Sequence, residues 1–144
     1  MDPVTFRAKR GPESFIQEDF IKFFEGRGWL VERMVGNAYQ LGIPDLYIFH
    51  PKHGPRWIDI KYAKKNIYTK AQVMKWPLWE SCGLGIWIIA GTEKHPSYEE
   101  LDAEYQLLFE PPNMRRYWRA KYDKMIPTEA DIDTLLEMLD KESE

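Results

Sequence analysis

The spacing of apolar and polar residues predicts a helix followed by a strand near the start of the chain. Over residues 13–25 an isoleucine and three phenylalanines recur at the interval of a core-facing helix, after Pro12 and before Gly26. Residues 29–35 have the β-branched and aromatic content of a strand. We therefore expect helix 13–25 to pack its apolar stripe against a sheet.

Residues 42–65 contain the pattern on which the other predictions depend. Segments 45–50 and 57–62 are rich in strand-forming side chains, and the intervening Pro-Lys-His-Gly-Pro favours a turn, which together predict a β-hairpin. Side chains alternate across a strand, so Asp59 and Lys61 share one face. A turn centred on His53 would place Asp45 opposite Lys61 and diagonal to Asp59. Such neighbours lie roughly 5–8 Å apart, close enough for two carboxylates to hold a metal ion beside an ammonium group.

A second helix is predicted after the hairpin, with Thr69 as its N-cap and Gln72 in its first turn, near the end of the strand that carries Lys61. Pro77 should kink this helix or split it into two short pieces. We expect Trp76 and Trp79 to be packing residues.

The later elements are predicted from shorter patterns. Residues 85–91 form a continuous apolar run, typical of a strand buried on both faces and central in its sheet, and residues 105–109 suggest a further strand. A C-terminal helix should carry the stripe Ile132, Leu135, Leu136 and Leu139, which could cover the core or form the interface of a homodimer.

Composition indicates one globular domain over residues 1–144, with 44% hydrophobic and 15% aromatic residues. The single Cys82 permits no internal disulfide, and no secretion signal or membrane span is visible in the sequence. We therefore expect a chain that resides in the reducing cytoplasm and does not contact membranes.

The net charge of -3 does not exclude a nucleic-acid partner, because the charge is unevenly distributed. Residues 127–144 carry seven acids and one base, which leaves about +3 for the remainder of the chain. Residues 1–11 read as a loose basic arm, equally consistent with a frayed terminus and with phosphate contacts.

The charged residues of the hairpin suit metal-dependent hydrolysis of a phosphodiester. Mg²⁺ takes oxygen ligands and keeps several waters, so Asp45, Asp59 and the carbonyl of Ile60 would suffice to hold it. Lys61 would stay protonated beside two carboxylates, and could pair with a phosphate oxygen or orient the attacking water. The alternative is a structural ion pair at the edge of the sheet.

Helical periodicity identifies a third acid. At about 100° per residue Glu13 continues the apolar stripe, whereas Glu18 points away from it. An inward-facing acid needs a partner, which a metal shared with Asp45 and Asp59 would provide. Stabilisation of the helix dipole is an equally consistent role for Glu13.

Basic residues are placed where an anionic ligand could use them. Several follow the hairpin, and others alternate with aromatic residues over residues 114–124, a combination suited to phosphate contacts and base stacking. A solvated face over packed aromatics is the alternative. The candidates are Lys64, Lys65, Lys70, Arg115, Arg116 and Arg119.

At these residues the sequence resembles the PD-(D/E)xK nuclease superfamily, whose motif is matched by Pro44-Asp45 and by Asp59-Ile60-Lys61. Among its branches the sequence is most similar to the VRR-Nuc family. Further elements of that family's pattern follow in order and are matched by Glu13-Ser14-Phe15-Ile16, Gly28, Gly42-Ile43-Pro44-Asp45 and Gln72. Asp59 stands where members usually carry Glu, and Gln17 stands where many carry a second acid.

The resemblance implies an α/β fold with a restriction-endonuclease-like core over residues 13–91, in which helices flank a central mixed β-sheet. It implies Mg²⁺ or Mn²⁺ held by Asp45, Asp59 and Glu13, with Lys61 as the catalytic lysine and Gln72 as a support. The implied activity is DNA cleavage, by an endonuclease selective for structure or for sequence. A catalytically silent nucleic-acid-binding module with the same fold, and hydrolysis of a smaller phosphate ester, are the alternatives.

Overall fold

A computed structural model of the chain describes residues 11–34, 41–65, 68–114, 116 and 137. Most of the predicted basic arm, residues 1–11, and of the acidic C-terminal helix, residues 127–144, lies outside the described residues, as do Arg115 and Arg119. None of the helices in the described part of the chain is both long enough and apolar enough to cross a bilayer.

Within residues 11–114, the described part of the chain contains three helices, four strands and a short 3₁₀ turn. They are α1 (Pro12–Glu25), β1 (Leu30–Arg33), β2 (Leu46–His50), β3 (Gly54–Tyr62), α2 (Lys70–Ser81), β4 (Ile86–Gly91), α3 (Tyr98–Gln106) and the 3₁₀ turn Leu107–Phe109.

The strands form one mixed sheet in the order β1-β2-β3-β4. The pairs β1–β2 and β2–β3 are antiparallel, while β3 and β4 are parallel and are joined by the crossover through α2. The fold is therefore α/β, with a mixed sheet flanked by helices, and the predicted fold class is confirmed.

Strand alternation divides the buried side chains between two faces of the sheet. One face packs on α1, where Phe20 of the helix and Ile58 and Ile60 of the sheet are fully buried in one cluster. The opposite face packs on α2, where Trp76 meets a separate cluster around Ile88. Odd-numbered residues of β3 project towards this second face, so two of the predicted site residues lie beside α2.

The hairpin register differs from the predicted one by two residues. His50 pairs with Gly54, so only residues 51–53 form the turn, and Gly54 takes a φ of +77° that glycine adopts without strain. Pro55 then enters the strand opposite Phe49. Leu46 pairs with Ile58, and continuing this register by one residue sets Asp45 across from Asp59 rather than from Lys61. A two-residue shift keeps every side chain on its predicted face.

Helix α2 continues through Pro77 as a single helix of 12 residues, so the predicted split is wrong. Thr69 caps its start, as predicted, and Pro77 is buried with Trp76 against the sheet. This burial and the cap stabilise the helix sufficiently to offset the hydrogen bond that the proline cannot donate.

Strand β4 is an edge strand of the described sheet, although its apolar sequence predicted a central one. Side chains cover its free edge. Asn113 accepts from Ile88 N at 2.6 Å and donates to Ile88 O at 3.0 Å, and Glu104 accepts from Ala90 N at 2.9 Å. An edge whose backbone groups are satisfied in this way can be as apolar as a central strand.

The strand predicted at residues 105–109 is instead the end of α3 and the 3₁₀ turn. Ser97 caps the helix by accepting from Glu100 N, and Tyr105 OH accepts a hydrogen bond from Trp29 Nε1 at 2.9 Å. Tyr105 and Leu108 are buried three residues apart, which is helical spacing.

Candidate active site

Asp45 lies at the open end of the hairpin and is fixed on both sides. Its carboxylate oxygen Oδ2 accepts a hydrogen bond from Ile60 N at 2.7 Å, and its backbone carbonyl accepts one from Met34 N at 2.9 Å. The side chain thus takes the place of a ladder hydrogen bond just before β2 begins. This contact holds the Asp45 carboxylate against the backbone of β3, next to Asp59.

Asp59 and Lys61 form a buried ion pair on the face of β3 that α2 covers. Lys61 Nζ lies 3.0 Å from Asp59 Oδ2, and their side chains are 5% and 1% exposed. Asp59 Oδ2 makes no contact with hydrogen-bond geometry to any described residue, so the approach of the ammonium is electrostatic rather than well aligned. This buried oxygen thus has the Lys61 ammonium beside it, but no well-aligned hydrogen-bond donor among the described residues.

The side-chain oxygen of Gln72 connects the start of α2 to Lys61 of this ion pair. Its Oε1 accepts from Lys61 Nζ at 3.2 Å and from Thr69 N at 3.0 Å, while Gln72 N donates to Thr69 Oγ1 at 3.1 Å. The last two bonds form a reciprocal capping box. Two donors meet Oε1, which defines the amide orientation and directs Nε2 towards Asp59 Oδ1 at a long 3.5 Å.

Tyr68 and Thr69 complete the surroundings of Lys61. Lys61 Nζ lies 4.5 Å from the centre of the buried Tyr68 ring, within the range of a cation–π interaction. The sequence identified Thr69 only as a helix cap and did not identify Tyr68. The signal that could have found both is an aromatic residue directly before a Thr-x-x-Gln capping box that follows the lysine-bearing strand.

Burial and like charge act together on the two aspartates. Burial raises the pKa of Asp45 well above its ordinary value, and the neighbouring Asp59 charge raises it further against the hydrogen bond from Ile60. Burial also raises the pKa of Asp59, while the charge of Lys61 and contact with Asp45 lower it. Both carboxylates would therefore be stabilised as anions by additional positive charge.

Glu13 lies in the first turn of α1, within electrostatic range of the same group. Burial raises its pKa, the Lys61 charge opposes that shift, and the Asp59 charge adds to it. The structure thus brings Glu13 near Asp59 and Lys61, as helical periodicity predicted. Gln17 is directed elsewhere and accepts a hydrogen bond from Arg33 at 3.1 Å.

The candidate phosphate-binding residues have different surroundings. Lys65 and Lys70 are exposed, and Lys64 is exposed but lies 3.2 Å from Glu93. Arg116 instead pairs with Glu104 at 2.8 Å, where it supports the side chain that covers the edge of β4. The structure therefore assigns Arg116 an internal partner that its sequence context did not predict.

The donor atoms of this site fit a hard divalent cation. Among the described residues, no group of three or more His, Cys, Asp or Glu side chains is arranged to hold a metal. Mg²⁺ commonly needs only one or two carboxylates, because waters and substrate oxygens fill its other positions. Two adjacent carboxylates, one with a buried oxygen that has no well-aligned donor among the described residues, meet that smaller requirement.

Comparison with solved structures identifies the fold. A structure described as a VRR_NUC domain matches with a TM-score of 0.52 and 18% sequence identity, over 70% of this chain and 98% of that chain. The chain has a VRR-Nuc-like fold. No protein-family model and no curated protein matches it.

The VRR-Nuc-like fold confirms at the level of structure the resemblance that the sequence motifs indicated. Nearly the whole of the matched domain has a counterpart here. About three residues in ten of this chain have no counterpart in that structure.

Proposed function

We propose that this chain is a metal-dependent nuclease that hydrolyses phosphodiester bonds in DNA as an endonuclease. The observation that carries the proposal is the burial of Asp59 and Lys61 beside Asp45 on one face of a VRR-Nuc-like sheet. Burying charged groups is costly, and an apolar pair of similar volume would stabilise the fold as well or better. A site that needs these charges for chemistry accounts for that cost.

Asp45 and Asp59 would hold Mg²⁺ or Mn²⁺, with the Ile60 carbonyl and Glu13 as further ligands. The ion, when bound, neutralises charge on the phosphoryl oxygens and makes a bound water more acidic. The Ile60 N–H fixes the orientation of the Asp45 carboxylate, so this ligand is preorganised.

Lys61 would act on the substrate directly. Its Nζ lies 3.0 Å from Asp59 Oδ2, and from that position the ammonium would stabilise the phosphate electrostatically or orient the attacking water. Gln72 and Tyr68 restrict where the ammonium can lie, since one accepts its hydrogen bond and the other provides its aromatic wall.

Selectivity for branched or junction DNA and selectivity for a sequence are both compatible with this site. Lys64, Lys65 and Lys70 follow the site in sequence and would contact phosphates, together with Arg115 and Arg119. A homodimer would supply two active sites for cutting both strands of a duplex.

A catalytically silent nucleic-acid-binding module is the second candidate. In it, Asp59 and Lys61 would form a structural ion pair within the same fold. The two candidates differ in whether the wild type cleaves nucleic acid at all.

The test compares the wild type with Asp59→Ala and Lys61→Ala on linear duplex, single-stranded and four-way-junction DNA, in Mg²⁺, Mn²⁺ or EDTA. Glu99→Ala, which removes an exposed acid in the first turn of α3, serves as the control. We expect metal-dependent cleavage by the wild type and the control, and a loss of at least about 100-fold in both site variants. No cleavage of any substrate by the wild type would favour the silent module, and undiminished cleavage by both variants would refute the site.

A further inference from the structure

An apolar cavity opens on the same face of the sheet as the two aspartates. It has a volume of about 160 Å³ and is lined by Ile43, Pro44, Trp57, Trp79 and Leu84. Its walls come from the segment before β2, from β3 and from the end of α2. None of these five side chains has a role in the proposed chemistry.

Two residues that line the cavity are close in sequence to the two aspartates of the candidate active site. Pro44 directly precedes Asp45, and Trp57 lies two residues before Asp59 on the same face of β3, about 7 Å along the strand. Tyr47 pairs with Trp57 across the hairpin, and their rings stack with centroids 4.4 Å apart. A pair of stacked aromatic rings therefore lies directly beside the pair of carboxylates.

The lining suits a flat aromatic ligand. Two indoles, a proline ring and two aliphatic side chains offer flat and apolar surface. The volume lies below the roughly 300–1,000 Å³ of pockets that enclose a drug-sized ligand, so the cavity has room for a single small ring system. Trp76 is fully buried, as expected of a packing residue, whereas Trp79 is only half-buried and lines the cavity. Trp79 also packs against the cluster around Ile88, so its interpretation as a packing residue is confirmed.

A positive charge lies beside the cavity. Lys75 precedes Trp79 by one helical turn, and its Nζ donates a hydrogen bond to Leu41 O at 2.6 Å, two residues before Ile43. A polyanion whose ring entered the cavity would thus meet an ammonium group near the outer wall.

We propose that this cavity binds one unpaired nucleobase of the substrate strand, next to the phosphate on which Lys61 and the metal ion of Asp45 and Asp59 would act. The inference rests on the proposed nuclease function and narrows its substrate class to nucleic acid with an unpaired nucleotide beside the cut, such as a single strand, a flap or a bulge. A paired base would have to leave its stack at a cost of a few kcal/mol. Recognition would tolerate any sequence, because every base presents a π-face.

The test measures binding in EDTA, where no cleavage occurs, with two fluorescently labelled chains of equal length and charge. One is a short thymidine homopolymer, and the other has abasic residues on the same phosphate backbone. We expect the wild type to bind the thymidine chain at least about 5-fold more tightly, the equivalent of about 1 kcal/mol of stacking on one base.

Substitutions at Trp79 test whether the preference for the thymidine chain comes from the cavity. Trp79→Leu keeps an apolar side chain but removes the indole and should abolish the preference for thymidine, whereas Trp79→Phe should retain most of it. Trp87→Leu is the matched control, because Trp87 neighbours Ile58 in the register and projects to the opposite face of the sheet. Thermal melting of each variant establishes that it is folded.

Equal affinity of the wild type for the two chains would overturn the proposal. So would a thymidine preference that survives in Trp79→Leu. A variant that keeps this preference and only loses thermal stability would show that Trp79 serves packing alone. Failure of the nuclease assignment is distinguishable, since the binding preference would then persist without metal-dependent cleavage. Cleavage without any preference for unpaired substrates or for bases would refute only the cavity proposal.

Discussion

Replacing Lys61 by methionine should strongly destabilise the protein. Methionine keeps the length of the side chain but removes the ammonium that lies 3.0 Å from Asp59 Oδ2. Asp59 would then remain 1% exposed in the core, with the long 3.5 Å contact from Gln72 Nε2 and the contact with Asp45 as its neighbours. The carboxylate would be an uncompensated buried charge.

The size of the expected loss in the free energy of unfolding follows from the burial of Asp59. Removing one partner of a buried ion pair costs about 3–5 kcal/mol, a large part of the roughly 5–15 kcal/mol that stabilises a domain. At about 4 °C per kcal/mol for a chain of this size, the melting temperature should fall by about 12–20 °C.

The loss should depend on pH in a defined direction. Burial already raises the folded-state pKa of Asp59, and removing Lys61 raises it further because the Lys61 charge was lowering it. An acid whose folded pKa exceeds its unfolded pKa makes folding less favourable as pH rises from the unfolded pKa through the folded one. Lys61→Met should therefore be closer to the wild type at pH 5 than at pH 8.

Urea denaturation in EDTA at both pH values provides the measurement. The double variant Asp59→Asn/Lys61→Met is the control, because it removes both charges and should recover most of the lost free energy of unfolding. A loss below about 1 kcal/mol at pH 8, or a double variant no more stable than Lys61→Met, would show that the pair is not buried and coupled as described.

Two further substitutions test neighbouring features. Asp45→Asn should abolish cleavage, and in EDTA at pH 7 it should raise the free energy of unfolding by about 0.5–2 kcal/mol. The amide oxygen can still accept from Ile60 N, and the charge whose burial raises the pKa of Asp45 is removed. A destabilised variant in the same urea titration would contradict this. Glu104→Ala should lower the free energy of unfolding by about 1–3 kcal/mol, because Ala90 N loses its acceptor and Arg116 loses its partner. Glu104→Gln should lower it less. Equal stabilities of both variants and the wild type would count against the role of Glu104 in covering β4.

Local patterns in the sequence predicted which face each site residue occupies. Strand alternation alone places Asp59 and Lys61 together, and helical periodicity directs Glu13 rather than Glu18 towards them, since both rules need only neighbouring residues. Thr69 was recognised as a cap for the same reason. These predictions did not depend on the register of the hairpin.

Features set by distant contacts were not predictable from local patterns. The sequence Pro-Lys-His-Gly-Pro does not show that Gly54 closes the turn and that Pro55 enters the strand, so the partner of Asp45 was misplaced by two residues. The position of β4 at the edge depends on Asn113, which lies 25 residues from its partner Ile88. Residue spacing in the sequence contains no signal for such a contact.

The capping box of α2 has a consequence for dynamics. Because a single oxygen, Gln72 Oε1, accepts from both Thr69 N and Lys61 Nζ, the position of the ammonium is coupled to the formation of the first turn of the helix. Helix ends open far more often than the core of a domain. In the proposed nuclease, the fraction of molecules with the ammonium in place would therefore depend on a helix-end equilibrium, and amide hydrogen exchange at Thr69 would report on it without any substrate.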